Sequence, residues 1–462
     1  MTKKMGNQIV TFGCRLNAYE SEAIKETLKQ TNQNNLIIFN SCAVTSEAER
    51  ELRQAVRRAR KKNPQAKIVV TGCAAQIDPQ KYAKMAEVDL VLGNAEKSKA
   101  ESYLGIKNLE SKTTNDGTNP DSITNHADQI FLRAKQASTT FLTTDETAKI
   151  VVNDIMSVRN TAPQLVSYFE NKTRAFLEIQ NGCNHRCTFC IIPFGRGNSR
   201  SVAFGEIVEQ VKKMVAAGHK EVVLTGVDIS DYGKDLAAPI TLTAMIKRLL
   251  KLVPELPRLR LSSVDVAELD DGIFDLLATE PRFTPYLHLS LQSGDDVILK
   301  RMKRRHSRNQ VLEFCMKARN IRPEITFGAD IIAGFPTEND EMFSNSVKLL
   351  EEANIVFTHI FPYSKRDGTP AAKMPQVDGK IIKERSKILR EAGEKNLQKF
   401  LETQIGKETN VIIEKDGIGK SENFLDVKLS QDGVKVGEIV KVRLLEISGR
   451  TMIGSILSIP HS

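Results

Sequence analysis

Three cysteines stand close together in the middle of the chain, at Cys183, Cys187 and Cys190. Their CxxxCxxC spacing follows an apolar run at residues 174–180, so a short loop brings three thiolates together. Cysteine is the ligand that iron–sulfur clusters require, and three thiolates can hold three corners of a cubic cluster. No fourth cysteine is nearby, which leaves one iron open to another ligand and favours catalysis over electron carriage. The alternatives are buried apolar thiols or a zinc knuckle, although zinc sites usually pair CxxC units to complete four ligands.

A second set of three cysteines lies in the amino-terminal region, at Cys14, Cys42 and Cys73. Each follows a short apolar run of the kind that forms buried parallel strands, at residues 8–13, 36–41 and 67–72. Helical patterns follow at residues 18–30, 46–62 and 79–85. Strands that alternate with helices predict an open α/β sheet, whose ligands collect at the carboxyl ends of the strands. The three thiols are therefore predicted to meet at one edge and to hold a second cluster with an open iron; the alternative is three separate core cysteines.

We call Cys14, Cys42 and Cys73 the first thiol set, and Cys183, Cys187 and Cys190 the second thiol set. The seventh cysteine, Cys315, lies in an apolar helical pattern without a nearby partner and is predicted to be a core residue. An odd count in a chain of 462 residues does not fit the small disulfide-rich secreted class.

Composition sets broad limits on the class of protein. The length suits about three domains, and 40% hydrophobic residues supply an ordinary core. No apolar run approaches the length of a membrane span, and no signal core follows the amino terminus. We therefore expect a cytoplasmic protein without a membrane partner. A monomer is a separate expectation, which the composition does not determine. The net charge of +9 permits contact with a polyanion.

The βα rhythm resumes after Cys190, with apolar strand candidates at residues 221–224, 258–261, 286–291, 326–332 and 356–360. Repeated βα units predict parallel strands curved into a full or partial barrel, with chemistry at their carboxyl ends. The candidate site residues at those ends are Thr225, Gly226, Ser262, Gln292 and Gly334.

The carboxyl-terminal region changes character at about residue 401. Short strand patterns separated by glycine-containing turns predict a small antiparallel β-barrel. Its charge is nearly balanced, with eight Lys and Arg against nine Asp and Glu. The predicted α/β architecture is thus an open parallel sheet domain (1–107), a polar linker or insertion (108–170), a partial (β/α) barrel (171–400) and the small β-barrel (401–462).

Two basic stretches could follow nucleic-acid phosphates. One is the helical pattern that carries Arg50, Arg53, Arg57 and Arg60 with Arg58, Lys61 and Lys62; the other is the dense run at residues 300–308. Such rows are often only solvated surface, but in a basic protein a phosphate-contacting role is a comparable interpretation.

With both thiol sets considered, the chain resembles the radical S-adenosylmethionine (SAM) methylthiotransferase family from end to end, including a carboxyl-terminal domain like the TRAM domain. The resemblance is carried by residues 11–21 (TFGCRLNAYES), 71–76 (TGCAAQ) and 181–193 (NGCNHRCTFCIIP). These motifs are most similar to the branch that modifies N6-threonylcarbamoyladenosine beside the tRNA anticodon. One departure from the family is the polar stretch at residues 105–128.

The resemblance implies two [4Fe-4S] clusters and SAM as cofactors. The second thiol set would hold the cluster that cleaves SAM reductively to a 5′-deoxyadenosyl radical, which takes a hydrogen from an adenine carbon. The first thiol set would hold the cluster that carries the sulfur to be inserted, and a second SAM would supply the methyl group. The residues implied near SAM are Phe189, Thr225, Gly226, Ser262, Gln292 and Gly334.

The implied partners are the tRNA anticodon stem-loop, an electron donor and a sulfur source. A loop base suits specific RNA recognition, which favours splayed single-stranded bases. The alternatives left open are a methylthiotransferase acting on N6-isopentenyladenosine or on a ribosomal-protein aspartate, and a different radical SAM enzyme that does not use the first thiol set.

Overall fold

The computed structural model describes residues 6–31, 33–104, 149–159, 161, 173–431 and 433–458. The chain divides into two compact units. The first consists of residues 1–164 together with Phe194–Gly197, and the second of residues 165–193 and 198–462. Most of the predicted linker, from 108 to 148, lies outside the described residues, and the predicted domain boundaries stay a prediction.

The first unit is built on a five-stranded parallel sheet in the order β1-β2-β3-β4-β5. Its strands are β1 (Gln8–Thr11), β2 (Leu36–Ser41), β3 (Lys67–Gly72), β4 (Leu90–Leu92) and β5 (Ile150–Val151). Its helices are α1 (Arg15–Lys29), α2 (Ser46–Lys62), α3 (Cys73–Ile77), α4 (Pro79–Ala83) and α5 (Glu101–Leu104). Every residue of β2 is buried, as expected for a central strand that is covered on both faces. The predicted open α/β sheet is confirmed.

Capping side chains mark the first residues of two helices of this unit, α2 and α4. The Thr45 side chain accepts a hydrogen bond from the Ala48 amide and caps α2. The Asp78 side chain does the same for α4, whose first residue is proline. Helix α3 was not predicted, because its support comes from another strand. The Ser41 hydroxyl of β2 accepts from the amides of Ala74 and Ala75, at 3.2 and 3.4 Å.

The second unit contains parallel strands in two sheets, ordered β10-β9-β6 and β11-β12-β13-β14. The strands, with the small hairpin β7/β8, are β6 (Arg174–Glu178), β7 (Gln180–Asn181), β8 (Arg200–Ser201), β9 (Glu221–Thr225), β10 (Arg258–Leu261), β11 (Ser263–Val264), β12 (Tyr286–Gln292), β13 (Thr326–Ala333) and β14 (Ile355–Pro362). Helices alternate with them: α7 (Phe204–Ala216), α8 (Leu242–Leu252), α9 (Gly272–Thr279), α10 (Asp296–Met302), α11 (Arg308–Ile321), α12 (Asp340–Glu352) and α13 (Gly379–Glu402). Helix α6 (Ile192–Arg196) precedes them in the chain and ends in the first unit.

The βα alternation with parallel pairing agrees with the predicted partial barrel. Short 3₁₀ helices complete the described structure at Ile155–Ser157, Ile229–Asp231, Val266–Glu268 and Pro370–Lys373. Cys315 is fully buried in α11, as predicted.

The carboxyl-terminal part of the second unit is a closed five-stranded barrel in the order β15-β16-β17-β19-β18. Its strands are β15 (Glu408–Lys415), β16 (Ile418–Ser421), β17 (Asp426–Leu429), β18 (Ile439–Ser448) and β19 (Thr451–Ser458). All pairs are antiparallel except β17 with β19. The small β-barrel is therefore confirmed, with one parallel pair that closes it.

This barrel is fixed to the rest of the second unit by buried polar and aromatic contacts. The guanidinium of Arg260 donates to the carbonyl oxygens of Ser421 and Glu422. The Phe424 ring stacks on Tyr286 with centroids 4.3 Å apart. No helix among the described residues is long and apolar enough to cross a membrane.

Candidate metal and cofactor sites

The first thiol set lies at the carboxyl ends of three adjacent strands of the first unit. Cys14 is the N-cap of α1 after β1, Cys42 directly follows β2, and Cys73 begins α3 after β3. Cys42 and Cys73 are buried and Cys14 is exposed. Gly13, with φ of +91°, packs so tightly that a Cβ there would stand 2.7 Å from the Cys42 Sγ atom. The parallel sheet thus brings together three thiols that are far apart in sequence.

Arg196 completes the surroundings of the first thiol set. Its Nε donates to the Cys73 Sγ atom at 3.1 Å. Its guanidinium also pairs with the Glu20 carboxylate, with both side chains only 2% exposed. Lys97 Nζ lies 2.6 Å from the Oε2 atom of the same carboxylate. Two cations against one carboxylate leave an excess positive charge next to the thiols.

The ionisation of Glu20 follows from these contacts. Burial would raise the pKa of its carboxyl, but the charges of Arg196 and Lys97 outweigh burial and lower that pKa to about 2. The carboxylate therefore stays charged and holds the Arg196 side chain in place next to Cys73.

The second thiol set lies on the loop after β7, and charged side chains of the second unit surround it. Arg304 Nη1 donates to the Cys187 Sγ atom at 3.7 Å. On another side, the Cys183 Sγ atom lies 3.8 Å from Asp228 Oδ2. The same carboxylate oxygen lies 2.9 Å from His185 Nε2. The guanidinium of Arg304 thus lies beside Cys187, and the His185–Asp228 pair lies beside Cys183.

Hydrogen bonds of Thr188 fix this loop to the end of α10 and to the 3₁₀ helix at Pro370–Lys373. The Thr188 amide donates to the Met302 carbonyl at 3.1 Å, and its hydroxyl donates to the Arg301 carbonyl at 2.8 Å. The Thr188 carbonyl in turn accepts from the Ala371 amide. The loop that carries the thiols is therefore held from both sides.

The donor chemistry of both sets fits an iron–sulfur cluster. Each set offers three thiols and one arginine in contact with a sulfur, Arg196 for the first and Arg304 for the second. Burial raises the pKa of Cys42 and of Cys190 to about 12. These thiols bind metal as thiolates, so cluster assembly must release their protons, and a neighbouring cation favours that step.

The residues predicted near SAM lie where the strand ends of the second unit place them. Thr225 ends β9 and is 2% exposed, and Gly226 follows it in contact with Gln180. Ser262 follows β10, and its buried hydroxyl has no hydrogen-bond partner among the described residues. Buried polar atoms are nearly always paired, so this hydroxyl suits a bound ligand.

The other predicted SAM contacts have partners within the protein. The Gly334 amide donates to Glu338 Oε2 at 3.0 Å. Phe189 packs edge-on against Phe335, with ring centroids 6.4 Å apart. Gln292 ends β12 with φ of +70°, an uncommon conformation for a residue with a side chain. Their roles toward SAM stay predictions.

Gln180 is a positioning residue that the sequence did not reveal. Its fully buried side chain accepts from the amides of Val227 and Asp228, at 3.1 and 2.9 Å, and donates to the Gly182 carbonyl. It thus joins the end of β9 to the start of the thiol loop. A lone glutamine at the end of an apolar run carries no motif, and the same holds for Arg196. Glu20 lies within the motif at residues 11–21, but the motif alone assigns it no role.

The dense basic run at residues 300–308 offers fewer unpaired charges to a nucleic acid than its composition suggests. His306 is 4% exposed and Arg304 faces the second thiol set. Three of its arginines form ion pairs within the unit: Arg304 with Asp265, Arg305 with Glu268 and Arg308 with Glu352. Much of its charge is therefore offset by acids from distant parts of the chain, while Lys300 and Lys303 stay exposed.

Comparisons with known proteins agree with this arrangement. Residues 177–350 match the model of the radical SAM superfamily, and residues 7–93 match an uncharacterised protein family, UPF0004. The chain is 52% identical to the threonylcarbamoyladenosine tRNA methylthiotransferase MtaB of Rickettsia prowazekii, over 97% of this chain and 96% of that protein. It is 36% identical to the MtaB of Aquifex aeolicus, over 94% of this chain and 98% of that protein.

Solved structures share the fold at low sequence identity. The radical SAM methyltransferase TsrM of Kitasatospora setae, solved with cobalamin and a [4Fe-4S] cluster, matches with a TM-score of 0.52 and 15% identity. The match covers 80% of this chain and 74% of that one. The two near full-length relatives show that the chain belongs to the radical SAM methylthiotransferase family, whose cofactors are SAM and two [4Fe-4S] clusters.

Proposed function

We propose that this enzyme converts N6-threonylcarbamoyladenosine next to the tRNA anticodon to its 2-methylthio derivative. The observation that carries the proposal is the presence of two three-thiol sets, each with an arginine on one sulfur, in a chain 52% identical to a relative named for that substrate. Insertion of sulfur at an unactivated carbon needs a radical and a sulfur source, and two open-site clusters suit both needs.

The second thiol set would hold the cluster that binds SAM, and that cluster when bound supplies the electron for reductive cleavage of SAM. The protein's own residues keep its ligands in place. The guanidinium of Arg304 bridges Cys187 and Asp265, with Nη2 2.7 Å from the carboxylate. Burial would raise the pKa of Asp265, but His306, whose Nδ1 lies 3.6 Å from Oδ1, and the charge of Arg304 lower it to about 2. The arginine is thereby fixed beside the sulfur.

SAM would contact the strand ends of the second unit. The buried hydroxyl of Ser262 is available to a ligand, and Thr225 and Gly226 lie at the neighbouring strand end. We propose Phe189, Gln292 and Gly334 as further contacts. Each belongs to the cysteine loop or to the end of a strand.

The first thiol set would hold the auxiliary cluster that carries the sulfur. Its sulfur atoms lie at one sheet edge beside Arg196, Glu20 and Lys97. The two cations and one carboxylate of this network leave a net positive charge beside the sulfur atoms. Replacement of these three thiols should therefore separate SAM cleavage from product formation.

The anticodon stem-loop would meet exposed basic side chains. Helix α2 presents Arg57, Arg58, Lys61 and Lys62 as exposed residues in and near its last turn. A phosphate backbone is attracted to such a row. We further propose a cytoplasmic, monomeric enzyme that takes electrons and sulfur from separate donors.

Mass spectrometry of tRNA nucleosides tests the proposal directly. Cells that lack the gene should lose the 2-methylthio derivative of threonylcarbamoyladenosine, and the wild-type gene should restore it. A gene that encodes Cys315→Ala, which removes a core thiol outside both sets, should restore it as well, whereas Cys73→Ala should not. If an isopentenyladenosine derivative or a ribosomal aspartate changes instead, the enzyme acts in another branch of the family.

A further inference from the structure

Two histidines and an aspartate that belong to neither thiol set meet on three neighbouring strands of the second unit. They are His288 on β12, Asp330 on β13 and His359 on β14, and one ligand atom from each lies within 4.8 Å of the others. His288 Nε2 lies 3.0 Å from Asp330 Oδ1, and His359 Nδ1 lies 3.3 Å from the same oxygen. Two imidazole nitrogens thus point at one carboxylate oxygen.

The strand register explains why these side chains meet. Asp330 pairs directly with His359, and His288 pairs with Gly328, two residues before Asp330. Side chains two residues apart on a strand share one face. Ile332, two residues after Asp330 on β13, lies on the same face. It packs in a cluster with Phe335 and with Phe189 of the cysteine loop. Asp330 therefore lies about 7 Å along β13 from Ile332.

A small residue and a tyrosine shape the space around His288. A Cβ at Gly328 would stand 2.4 Å from His288 Nδ1 and 2.4 Å from the Tyr286 hydroxyl, so only glycine leaves room for this pair. The Tyr286 hydroxyl lies 2.8 Å from His288 Nδ1. A hydrogen bond on one ring nitrogen fixes the tautomer and turns the other nitrogen toward a ligand, as in metal sites.

Exposure differs across the three residues in a way that suits an open coordination site. The His288 side chain is 3% exposed and that of Asp330 is 20% exposed, whereas that of His359 is 55% exposed. The inner ligand is fixed by packing and the outer one faces open space.

We propose that His288, Asp330 and His359 bind a divalent first-row transition-metal ion, separate from the two clusters, with coordination positions left open on the exposed side. Two imidazoles and one carboxylate on one face of an ion form the donor set that suits Mn²⁺ and Fe²⁺, and Zn²⁺ accepts the same ligands. Thiolates are absent from this set. An oxygen-preferring ion such as Mn²⁺ therefore distinguishes it from the thiol sites.

The test is a Mn²⁺ titration of the protein with both clusters assembled and oxidised, followed by the electron paramagnetic resonance signal of free aqueous Mn²⁺. The wild-type protein should remove about one equivalent of Mn²⁺ from solution. His359→Gln, at an exposed position that does not threaten folding, should weaken binding at least about tenfold. Asp330→Asn, which preserves shape, should do the same.

His219→Ala provides the matched control, because His219 is a buried histidine of the same unit whose Nδ1 contacts the Thr173 carbonyl instead. It should bind Mn²⁺ like the wild type. The proposal is overturned if the wild type removes no Mn²⁺, or if His359→Gln and Asp330→Asn bind it as tightly as the wild type. In the second case, acidic side chains on the surface, rather than His288, Asp330 and His359, bind the Mn²⁺ that the wild type removes.

Discussion

Arg196 donates a hydrogen bond from Nε to the Cys73 Sγ atom at 3.1 Å, while its guanidinium pairs with the buried carboxylate of Glu20. Arg196 follows Cys190 by six residues in the sequence. The segment that begins with the second thiol set therefore ends in a residue that supports the first. A change in that segment can affect both proposed clusters.

Replacement of Arg196 by glutamine should destabilise the protein and empty the first thiol site. Loss of one partner from a buried ion pair costs about 3–5 kcal/mol, and we expect the lower end because Lys97 still pairs with Glu20. Chemical denaturation measures the stability, and iron analysis measures the site. Arg50→Gln, which breaks an exposed pair with Glu47, should cost less than about 1 kcal/mol. Equal losses in the two variants would contradict the role of Arg196.

Alanine substitution of each thiol set should have different consequences. Without the second set, reductive cleavage of SAM should disappear together with the methylthio product. Without the first set, SAM cleavage should continue and only the methylthio product should disappear. Each triple variant should lose about four iron atoms per chain. Chromatography of 5′-deoxyadenosine and of tRNA nucleosides gives both readouts.

The control for that experiment is Cys315→Ala, which should preserve iron, SAM cleavage and product. If the variant without the first thiol set still forms the methylthio product, the enzyme does not use those thiols and the chain performs another radical SAM reaction.

The sequence allowed the strand ends to be predicted because local signals determine them. Apolar runs of six residues, each followed by a cysteine, predicted β2 and β3 with their thiols at one edge. By contrast, α3 depends on the hydroxyl of Ser41 from a neighbouring strand. Arg196 and Gln180 act through partners that are distant in sequence, and no local pattern identifies such partners. For the same reason, the pairing of Arg305 with Glu268 could not be predicted from the basic run.

Gly13→Ala should displace Cys42 and lower the iron content of the first site. An added Cβ would stand 2.6 Å from the Cys42 Cβ atom and 2.7 Å from its Sγ atom, closer than side-chain atoms approach. Gly218→Ala is the matched control, because its φ of +93° resembles the +91° of Gly13 but no atom lies within 4 Å of its added Cβ. Both variants should carry backbone strain of about 1–2 kcal/mol.

The iron content of the two variants distinguishes the effect of the steric clash with Cys42 from the effect of backbone strain. Gly13→Ala should lose iron from one site, and Gly218→Ala should retain two full clusters. Full iron in Gly13→Ala would show that the position of Cys42 is not critical for assembly.

Glu221→Gln should destabilise the second unit most at neutral pH. Burial would raise the pKa of Glu221, but the charges of Arg260, Arg174 and Arg258 hold it below its usual value. A lowered folded-state pKa adds stability above the unfolded value of about 4.5, and that stability is lost as the pH falls further. The variant should lose about 3–5 kcal/mol at pH 7, and the difference from wild type should shrink below pH 4.5.

Denaturant titration at several pH values measures this difference. Glu209→Gln, whose exposed partner is Lys212, should differ from wild type by less than about 1 kcal/mol at every pH. A cost for Glu221→Gln that does not change with pH would mean that packing, rather than charge, explains the loss.

Charge reversal at the end of α2 should weaken tRNA binding. Replacement of Arg58, Lys61 and Lys62 by glutamate removes three exposed cations. Each lost phosphate contact reduces the slope of log affinity against log salt by about 0.7–0.9, so we expect a slope shallower by about two to three. Fluorescence anisotropy with an anticodon stem-loop RNA at several salt concentrations measures it. The control reverses three exposed cations of α8, Lys247, Arg248 and Lys251, so that both variants change the same number of charges. If both triple variants change the slope equally, binding depends on net charge alone, and α2 has no specific contact with the RNA.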